Sequence, residues 1–379
     1  MDFARHQGTE ADALPDGAHI RPLTSLRFFA ALWVVAYAYW PDLATSAMPG
    51  FIRKGYLGVE LFFTLSGFIL CHVYLTAFAD GAFSYGKFLW ARLARVYPLH
   101  IATLAGIGFM ALAALRLGFS VDRNVLAWSA LPANLMLTQA WGLAPVAGWN
   151  HPSWSISAEW FAYLSFPLFA WSMIRLWRHP RLAACGALGL LWTLYATFPV
   201  FAGYGLTEAT IRWGALRIIP CFALGCASYL VWRRGAADRR KEAALGVLLF
   251  GAGILVAAQS GAPDALIVTG FAGLIVSLAK LARAGSGFGS QASLVYLGEI
   301  SYSIYMLAIP WQLAFVNIAA KIFNFSNKKL PLALWVLFIV SLLPLAAISH
   351  HLIEKPARRA LKLWVKRSRS HVFASAVAR

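Results

Sequence analysis

Acidic residues, and charged residues in general, are scarce in this sequence. Asp and Glu total 15 of 379 residues, and all charged residues make up 13% of the chain, whereas hydrophobic residues make up 60%. A soluble domain has about 25% charged and roughly 45–50% apolar residues, and a disordered chain has low hydrophobicity, so both classes are excluded. With a mean hydropathy of +0.64, the composition predicts an all-α polytopic membrane protein, because the apolar runs are too long and continuous for a β-barrel.

Cysteine is scarce as well, with four residues and no CxxC motif. All four lie inside apolar runs, where they are expected to be buried small hydrophobic side chains without disulfides. His and carboxylate residues do not cluster at the spacing of metal ligands, so no metal is expected.

Basic residues are the one charged class in excess, with 33 Lys and Arg and a formal net charge of +18. They lie in short clusters between apolar runs and in the C-terminal tail, which is the positive-inside pattern of a membrane protein. This placement predicts a lipid bilayer, and not nucleic acid, as the partner. Residues 1–20 lack the apolar core of a signal peptide and are expected to form a cytosolic tail.

Eleven apolar runs are candidate spans, at residues 24–40, 56–76, 97–115, 124–141, 154–176, 182–203, 213–232, 243–260, 264–283, 295–320 and 330–352. Four basic clusters lie near Arg92, Arg178, Arg240 and Arg359. All four fall on the same side of the membrane only if 124–141, the weakest run, does not cross. We therefore predict about ten transmembrane helices, a re-entrant or surface-lying segment near 124–141, and both termini in the cytosol. A single membrane domain is expected over 21–355, followed by a basic tail over 356–379.

Ionisable residues inside a bilayer are costly and therefore indicate function by default. Arg27 opens the first span, and Ala38 lies three helical turns further on the same face, about 16 Å away. Glu60 shares a face of the second span with Thr64 and Gly67, and spacing alone favours helix packing through small residues there.

Two further places carry polar groups of interest. Arg92 and Arg95, at i and i+3, suit a phosphate-bearing ligand, although a positive-inside anchor explains them too. Glu159 and Arg217 lie at similar depth. They either neutralise each other as a structural pair or help to form a polar cavity, and the first interpretation is slightly favoured.

Several motifs, in order along residues 22–360, resemble the acyltransferase-3 family of integral membrane acyltransferases. They are LTSLRFFAALWVV, GVELFFTLSGFIL, KFLWARLARVYPLH, PSWSISAEWFAYLSFP, LGEISYSIYML and HLIEKPARR. The family moves an acyl group, usually acetyl, from cytosolic acyl-CoA to a hydroxyl of a sugar or related acceptor. The resemblance thus implies an acyltransferase of a bacterial inner membrane that takes part in O-acetylation of a saccharide or polysaccharide, with acyl-CoA as co-substrate.

The resemblance also implies roles for individual residues. Arg92 and Arg95 would bind the phosphates of acyl-CoA, while Ser66, Gly67 and Phe68 would line the acyl or pantetheine path. A catalytic group would comprise Arg27, Glu159 and positions 38 and 308. The remaining pocket-lining residues would be Glu60, Trp154, Arg217, Ser301, Tyr302 and Tyr305.

Two departures from the family pattern bear on catalysis. The family has a histidine at the positions of Ala38 and Ala308, and alanine cannot act as the base that activates a hydroxyl. The chain is an engineered inactive form, a natural non-catalytic relative, or an enzyme that uses another base. The intact surrounding motifs favour the first explanation.

Two other function classes remain open at this point. A transporter-like protein would also carry intramembrane Arg and Glu, but it predicts inverted repeats, which the sequence does not show. A non-catalytic partner in envelope or exopolysaccharide assembly would keep the scaffold without the histidines.

Overall fold

The protein is a bundle of helices in the computed structural model, which describes residues 18–45, 47–116, 118, 121, 124–235, 239–325, 328–361 and 363. The α-helices are α1 Arg21–Tyr39, α2 Gly50–Arg53, α3 Gly58–Ala79, α4 Tyr85–Arg116, α5 Leu131–Leu135, α6 Trp154–Leu164, α7 Phe166–Arg175, α8 Pro180–Ala202, α9 Gly214–Arg233, α10 Arg240–Ser260, α11 Asp264–Arg283, α12 Ala292–Glu299, α13 Ser301–Phe323 and α14 Leu332–Ser349. A π-helix, His350–Glu354, continues α14.

Nine helical segments within the described ranges are long and apolar enough to cross a membrane. The predicted all-α polytopic fold is therefore confirmed. Apolar side chains cover the lipid-facing surfaces of outer helices, as at Leu248 and Val256 of α10, which are each 68% exposed.

The predicted span 154–176 is present but is broken at Ser165 into α6 and α7. Pro167, in the first turn of α7, has no backbone N–H to donate to the preceding turn, so the helix is interrupted there. Trp154 at the start of α6 lies 4.5 Å from the guanidinium of Arg217, near the start of α9. Trp177, just after α7, lies 4.8 Å from that of Arg233, at the end of α9. The broken helix therefore runs alongside α9, although neither half is long enough to span a membrane by itself.

The segment 124–141 does not cross the bundle, as predicted. Its described residues form only short helical turns, including α5. The polar residues that weaken this apolar run also anchor it. The carbonyl of Asn134 is bonded to His100 Nε2 at 2.8 Å, and Gln139 Nε2 donates to the carbonyl of Ser153 at 3.0 Å. The segment is therefore packed against α4 and the start of α6.

Contacts between helix ends show that the basic clusters lie on one side of the bundle. Trp90 near the start of α4 donates to the carbonyl of Leu361 after α14, and Arg234 after α9 donates to the carbonyl of Arg178 before α8. Lys54 and Asp264 form an ion pair of 2.6 Å at the opposite end. Residues 1–17 and 364–379, which include most of both predicted tails, lie outside the described residues.

Two sequence expectations need correction. Cys71, Cys221 and Cys226 are buried as expected, but Cys185 is exposed on α8, and all four are free thiols. The run 295–320 is not one helix, because it divides at Ile300 into α12 and α13.

A very close contact in the core joins α3 to α9. A Cβ on Gly67 would collide with the carbonyl of Phe222, and a Cβ on Gly225 would collide with the carbonyl of Thr64. Only glycine at both positions allows the two backbones to approach this closely. The crossing sets the rotation of α3, and therefore which of its faces meets the rest of the bundle.

Gly67→Ala should lower the melting temperature of the detergent-purified protein, because overpacking costs about 1–3 kcal/mol. Gly106→Ala on α4 is the matched control, since a Cβ there meets open space. Equal melting temperatures for the two variants would contradict the close crossing.

Candidate active site

A cavity of about 500 Å³ lies at the end of the bundle where α1 and α4 begin and where α3 and α14 end. Its rim includes the exposed side chains of His19 and Lys355. Deeper in, apolar side chains such as Val59, Phe63 and Ile156 form the walls. The cavity thus has a charged mouth and a more apolar interior.

About half of the predicted site residues line this cavity. They are Arg27, Ser66, Arg92, Arg95, Glu159, Tyr302 and Tyr305. The others do not line it: Ala38, Glu60, Gly67, Phe68, Trp154, Arg217, Ser301 and Ala308. These residues are far apart in the sequence, and the fold brings five separate motifs together around the cavity.

The rotation of α3 explains why Ser66 lines the cavity whereas its neighbours Gly67 and Phe68 do not. Phe62, Ser66, Ile69 and Val73 recur at helical spacing and face the cavity. Gly67 lies on the adjacent face, which is packed against α9. Phe68 is fully buried, and its ring centroid lies 5.8 Å from that of Tyr229. The prediction that Gly67 and Phe68 line the acyl path is therefore not supported by their placement.

The arginines of the cavity have no carboxylate bound to them among the described residues. Arg92 donates to the Tyr74 hydroxyl at 3.3 Å and lies 5.7 Å from that ring, while its buried Nε has no hydrogen-bond partner. Arg27 lies 5.8 Å from the ring of Phe62. Arg95 lies close enough to Arg27 to repel it electrostatically. The cavity therefore holds several positive charges that have no directly bound carboxylate, although Glu159 and Glu354 act on Arg27 from a distance.

Glu159 is turned toward the cavity and not toward Arg217. Its Oε1 accepts a hydrogen bond of 2.6 Å from Ser66 Oγ, and the hydroxyl of Tyr163 lies near the same carboxylate. The favoured interpretation of Glu159 and Arg217 as a structural pair was therefore wrong. The alternative, a polar cavity containing Glu159, describes the geometry better.

Arg217 instead pairs with Glu60, at 2.5 Å between Nε and Oε1. Arg217 is 2% exposed and Glu60 is 0% exposed, and Arg217 Nη1 also donates to the carbonyl of Ala209. Trp154 covers the guanidinium on one side. These three residues therefore form a buried contact among α3, α6 and α9, which explains why they do not line the cavity.

Residues 22–351 match the family described as the acyltransferase domain. The chain belongs to the acyltransferase-3 family. It is 32% identical over 326 residues to the acyltransferase MdmB of Streptomyces mycarofaciens, which covers 77% of this chain and 79% of MdmB. It is 26% identical over 273 residues, 69% of this chain and 67% of the relative, to BcsY of Komagataeibacter xylinus, which is named as a candidate membrane-bound transacylase. No solved structure matches.

The two alanines of this acyltransferase lie together, outside the cavity wall. Both belong to an apolar cluster between α1 and α13. The Tyr39 hydroxyl donates to the carbonyl of Ala308 at 2.6 Å, and Gln312 Nε2 is 3.4 Å from the carbonyl of Ala38. Phe62 lines the cavity and also packs against this cluster. The positions at which the family has histidine are therefore one side chain away from the cavity.

Tyrosines on α13 form part of the same wall. Tyr305 donates to the carbonyl of Pro152 at 3.0 Å and accepts from Ser155 Oγ at 2.9 Å. Tyr302 donates to the carbonyl of Val96 at 2.6 Å. Ser301, one residue earlier, is fully buried and faces away from the cavity.

Sequence reasoning missed several ionisable residues that line the acyltransferase cavity. They include Glu299, His72, His350, Glu354, Lys355 and Arg358. Four of them lie in or directly after the π-helix that ends α14. The motif HLIEKPARR contains three of the four, but it was used only for the resemblance. Helix continues through Leu361, beyond the domain boundary expected at residue 355.

Arg217→Leu should destabilise the protein by about 3–5 kcal/mol, because it leaves the buried Glu60 carboxylate without its counter-charge. The double variant Glu60→Met with Arg217→Leu should recover most of that loss. Unfolding in detergent by heat or denaturant measures both. A double variant no more stable than the single one would assign the loss to packing instead of charge.

Proposed function

We propose that this acyltransferase is a membrane O-acyltransferase scaffold whose cavity takes acyl-CoA, with acetyl-CoA as the expected donor, from the cytosol. The acceptor is a hydroxyl of a saccharide or exported polysaccharide. The chain as it stands is catalytically disabled, because Ala38 and Ala308 replace the two histidines of the family. The observation that carries the donor assignment is the set of cavity arginines without carboxylate partners.

The charge of the cavity suits a phosphate-bearing donor. Arg27, Arg92 and Arg95 repel one another in a partly desolvated site, and phosphate oxygens would replace that repulsion with charge-assisted hydrogen bonds. Guanidinium groups form bidentate hydrogen bonds with phosphate oxygens, a geometry that a simple dissolved counter-ion does not adopt. The charged mouth would hold the nucleotide of acyl-CoA, and the apolar interior would hold the acyl end.

The thioester of the donor would lie at the inner end of the cavity. There the Ser66 and Glu159 pair is a polar group within an apolar wall. An acceptor hydroxyl attacks the thioester carbon, its proton passes to a base, and the carbon–sulfur bond breaks to release CoA as a thiol. The tetrahedral oxyanion needs a donor, for which Arg27 and the Tyr305 hydroxyl are the nearest candidates.

The base is the missing part of this chemistry. Imidazoles at positions 38 and 308 would lie across the Phe62 wall from the thioester, between the cavity and the opposite end of the bundle. They would accept the hydroxyl proton from an acceptor that approaches from that end. Alanine offers no such group, so the acceptor would bind without being activated.

The membrane orientation follows from charge. The end that carries the cavity also carries the basic clusters near Arg92, Arg178 and Arg234, which the positive-inside rule assigns to the cytosol. Both termini would then be cytosolic in a bacterial inner membrane. The segment 124–141 would lie on the acceptor side.

Arg92→Ala and Arg95→Ala should each weaken binding of acetyl-CoA by about 10-fold or more, since each removes charge-assisted hydrogen bonds. Isothermal titration calorimetry in detergent measures the affinities. Arg181→Ala is the matched control, because Arg181 is exposed at the same end of the bundle and outside the cavity. Unchanged binding in both cavity variants would refute the donor site.

The double reversion Ala38→His with Ala308→His should restore release of CoA from acetyl-CoA in membranes, since it supplies the base. The unaltered chain, assayed in parallel, should release none above background. Release by the unaltered chain at the same rate would contradict the proposal that it is disabled. Binding of acetyl-CoA without release by either protein would point to a missing acceptor.

A further inference from the structure

A second cavity of about 500 Å³ lies away from the candidate active site. It is lined by α8, α9, α10 and α11, and none of these helices lines the first cavity. Its mouth is near the end of α9 and the start of α10, close to the hydrogen bond between Arg234 and the carbonyl of Arg178. These arginines belong to the basic clusters, so the mouth lies at the cytosolic end in the proposed orientation.

The depth of the second cavity matches one leaflet of a bilayer. On α10 its lining residues run from Arg239, just before the helix, to Phe250, and on α11 they run from Lys280 back to Thr269. Each stretch is eleven residues long, which corresponds to about 16 Å of helix. The hydrocarbon core of a bilayer is about 30 Å thick, so one leaflet contributes about 15 Å of it. The cavity therefore extends from the membrane surface to about the midplane.

The interior of the second cavity is apolar in its hydrogen-bonding needs. The Ser228 hydroxyl donates to the carbonyl of Leu224 at 2.7 Å, and the Thr269 hydroxyl donates to the carbonyl of Ala265 at 2.7 Å. Both bonds are to the same helix, so neither hydroxyl needs a ligand. Side chains such as Val276 complete the wall. A hydrocarbon chain suits this interior, because a void would deprive the wall of dispersion contacts.

The deep end of the second cavity borders the lipid-facing surface of α10. A Cβ on Gly273 would collide with the ring of Phe250, so this ring packs directly on the backbone of α11. Phe250 itself is 41% exposed, and the adjacent Leu249 is exposed as well. A lipid chain can therefore enter the cavity from the side, without crossing the core of the bundle.

The mouth of the second cavity carries a net positive charge. Arg239, Lys280 and Glu242 line it. Arg239 and Glu242 form an ion pair of 3.3 Å, but their side chains are 83% and 69% exposed, so solvent screens this pair and leaves it weak. Arg240 and Lys241 follow directly and are exposed. Such a basic mouth at the cytosolic membrane surface attracts anionic headgroups.

We propose that the second cavity binds an anionic phospholipid of the cytosolic leaflet, with one acyl chain in its interior and the phosphate at Arg239 and Lys280. A dissolved anion would leave the apolar interior empty, and a lipid without net charge would leave the positive mouth unmatched. The bound chain fills the space beside α10 and α11 and thereby stabilises the bundle. The site is separate from acyl-CoA binding, because the two cavities share no helix.

The test compares phosphatidylglycerol with phosphatidylcholine of the same acyl chains, by native mass spectrometry of the detergent-purified protein. The unaltered chain should bind phosphatidylglycerol about 10-fold or more tightly, because only this lipid carries net negative charge. The double variant Arg239→Ala with Lys280→Ala should abolish this preference. Arg240→Ala with Lys241→Ala is the matched control, since it removes the same charge from exposed residues outside the cavity, and it should keep the preference.

A second pair of variants tests the acyl chain. Val276→Phe fills the interior and leaves the mouth intact, so it should weaken binding of phosphatidylglycerol by about 10-fold or more. Ala184→Leu, which fills the same space from α8, should act in the same way. Leu248→Phe, on the lipid-facing surface of α10, is the control and should leave binding unchanged. Melting temperatures show whether each variant is folded, and phosphatidylglycerol should raise that of the unaltered chain.

Four results would overturn the proposal. Equal binding of the two lipids by the unaltered chain, or binding of neither, would remove the headgroup site. Equal losses in the two double alanine variants would assign the preference to general surface charge. Unchanged binding in both Val276→Phe and Ala184→Leu would place the acyl chain outside the cavity. Tighter binding of phosphatidylethanolamine than of phosphatidylglycerol would show that Glu242 selects a zwitterionic headgroup instead.

Discussion

The close packing of α3 on α9 is the constraint on which the rest of this structure depends. Gly67 and Gly225 let the two backbones touch, and the buried pair of Glu60 and Arg217 sets the register of the same two helices. With one face of α3 packed against α9, the adjacent face lies toward α1 and the cavity. That face carries Phe62 and Ser66 into the cavity.

Electrostatics then gives the cavity its character. Buried charges are stable when paired, as Glu60 and Arg217 are, and they are costly when they are not. Cavity arginines such as Arg27 and Arg92 contact an aromatic ring or a hydroxyl and have no carboxylate bound directly to them. The molecule therefore contains two kinds of arginine. The paired arginine, Arg217, stabilises the bundle. The cavity arginines stabilise it poorly but are suited to an anionic ligand.

Ala38 and Ala308 are separated from the cavity by Phe62, and this separation bears on the mechanism. The cavity proposed for the donor lies on one side of Phe62 and is lined by polar and basic residues. On the other side, Ala38 and Ala308 lie in an apolar cluster with Tyr39. A chain with this division keeps the features expected of donor binding while lacking a base at the family positions, as the proposed disabled form requires. The donor and acceptor halves of the reaction can therefore be examined separately in this protein.

The sequence by itself determined the membrane class and the non-crossing segment near 124–141, because hydropathy and the placement of basic clusters reflect the bilayer and need no tertiary detail. It also indicated Arg27, Arg92, Arg95 and Glu159, since charges are rare enough in apolar runs to be noticed. Tertiary structure alone decided which charges pair. Glu60 and Glu159 are both carboxylates in apolar helices, but only the rotation of α3 directs Glu60 to Arg217. It likewise placed Arg358 at the cavity, because a positive-inside anchor and a ligand-binding arginine look alike in sequence and differ only in what surrounds them.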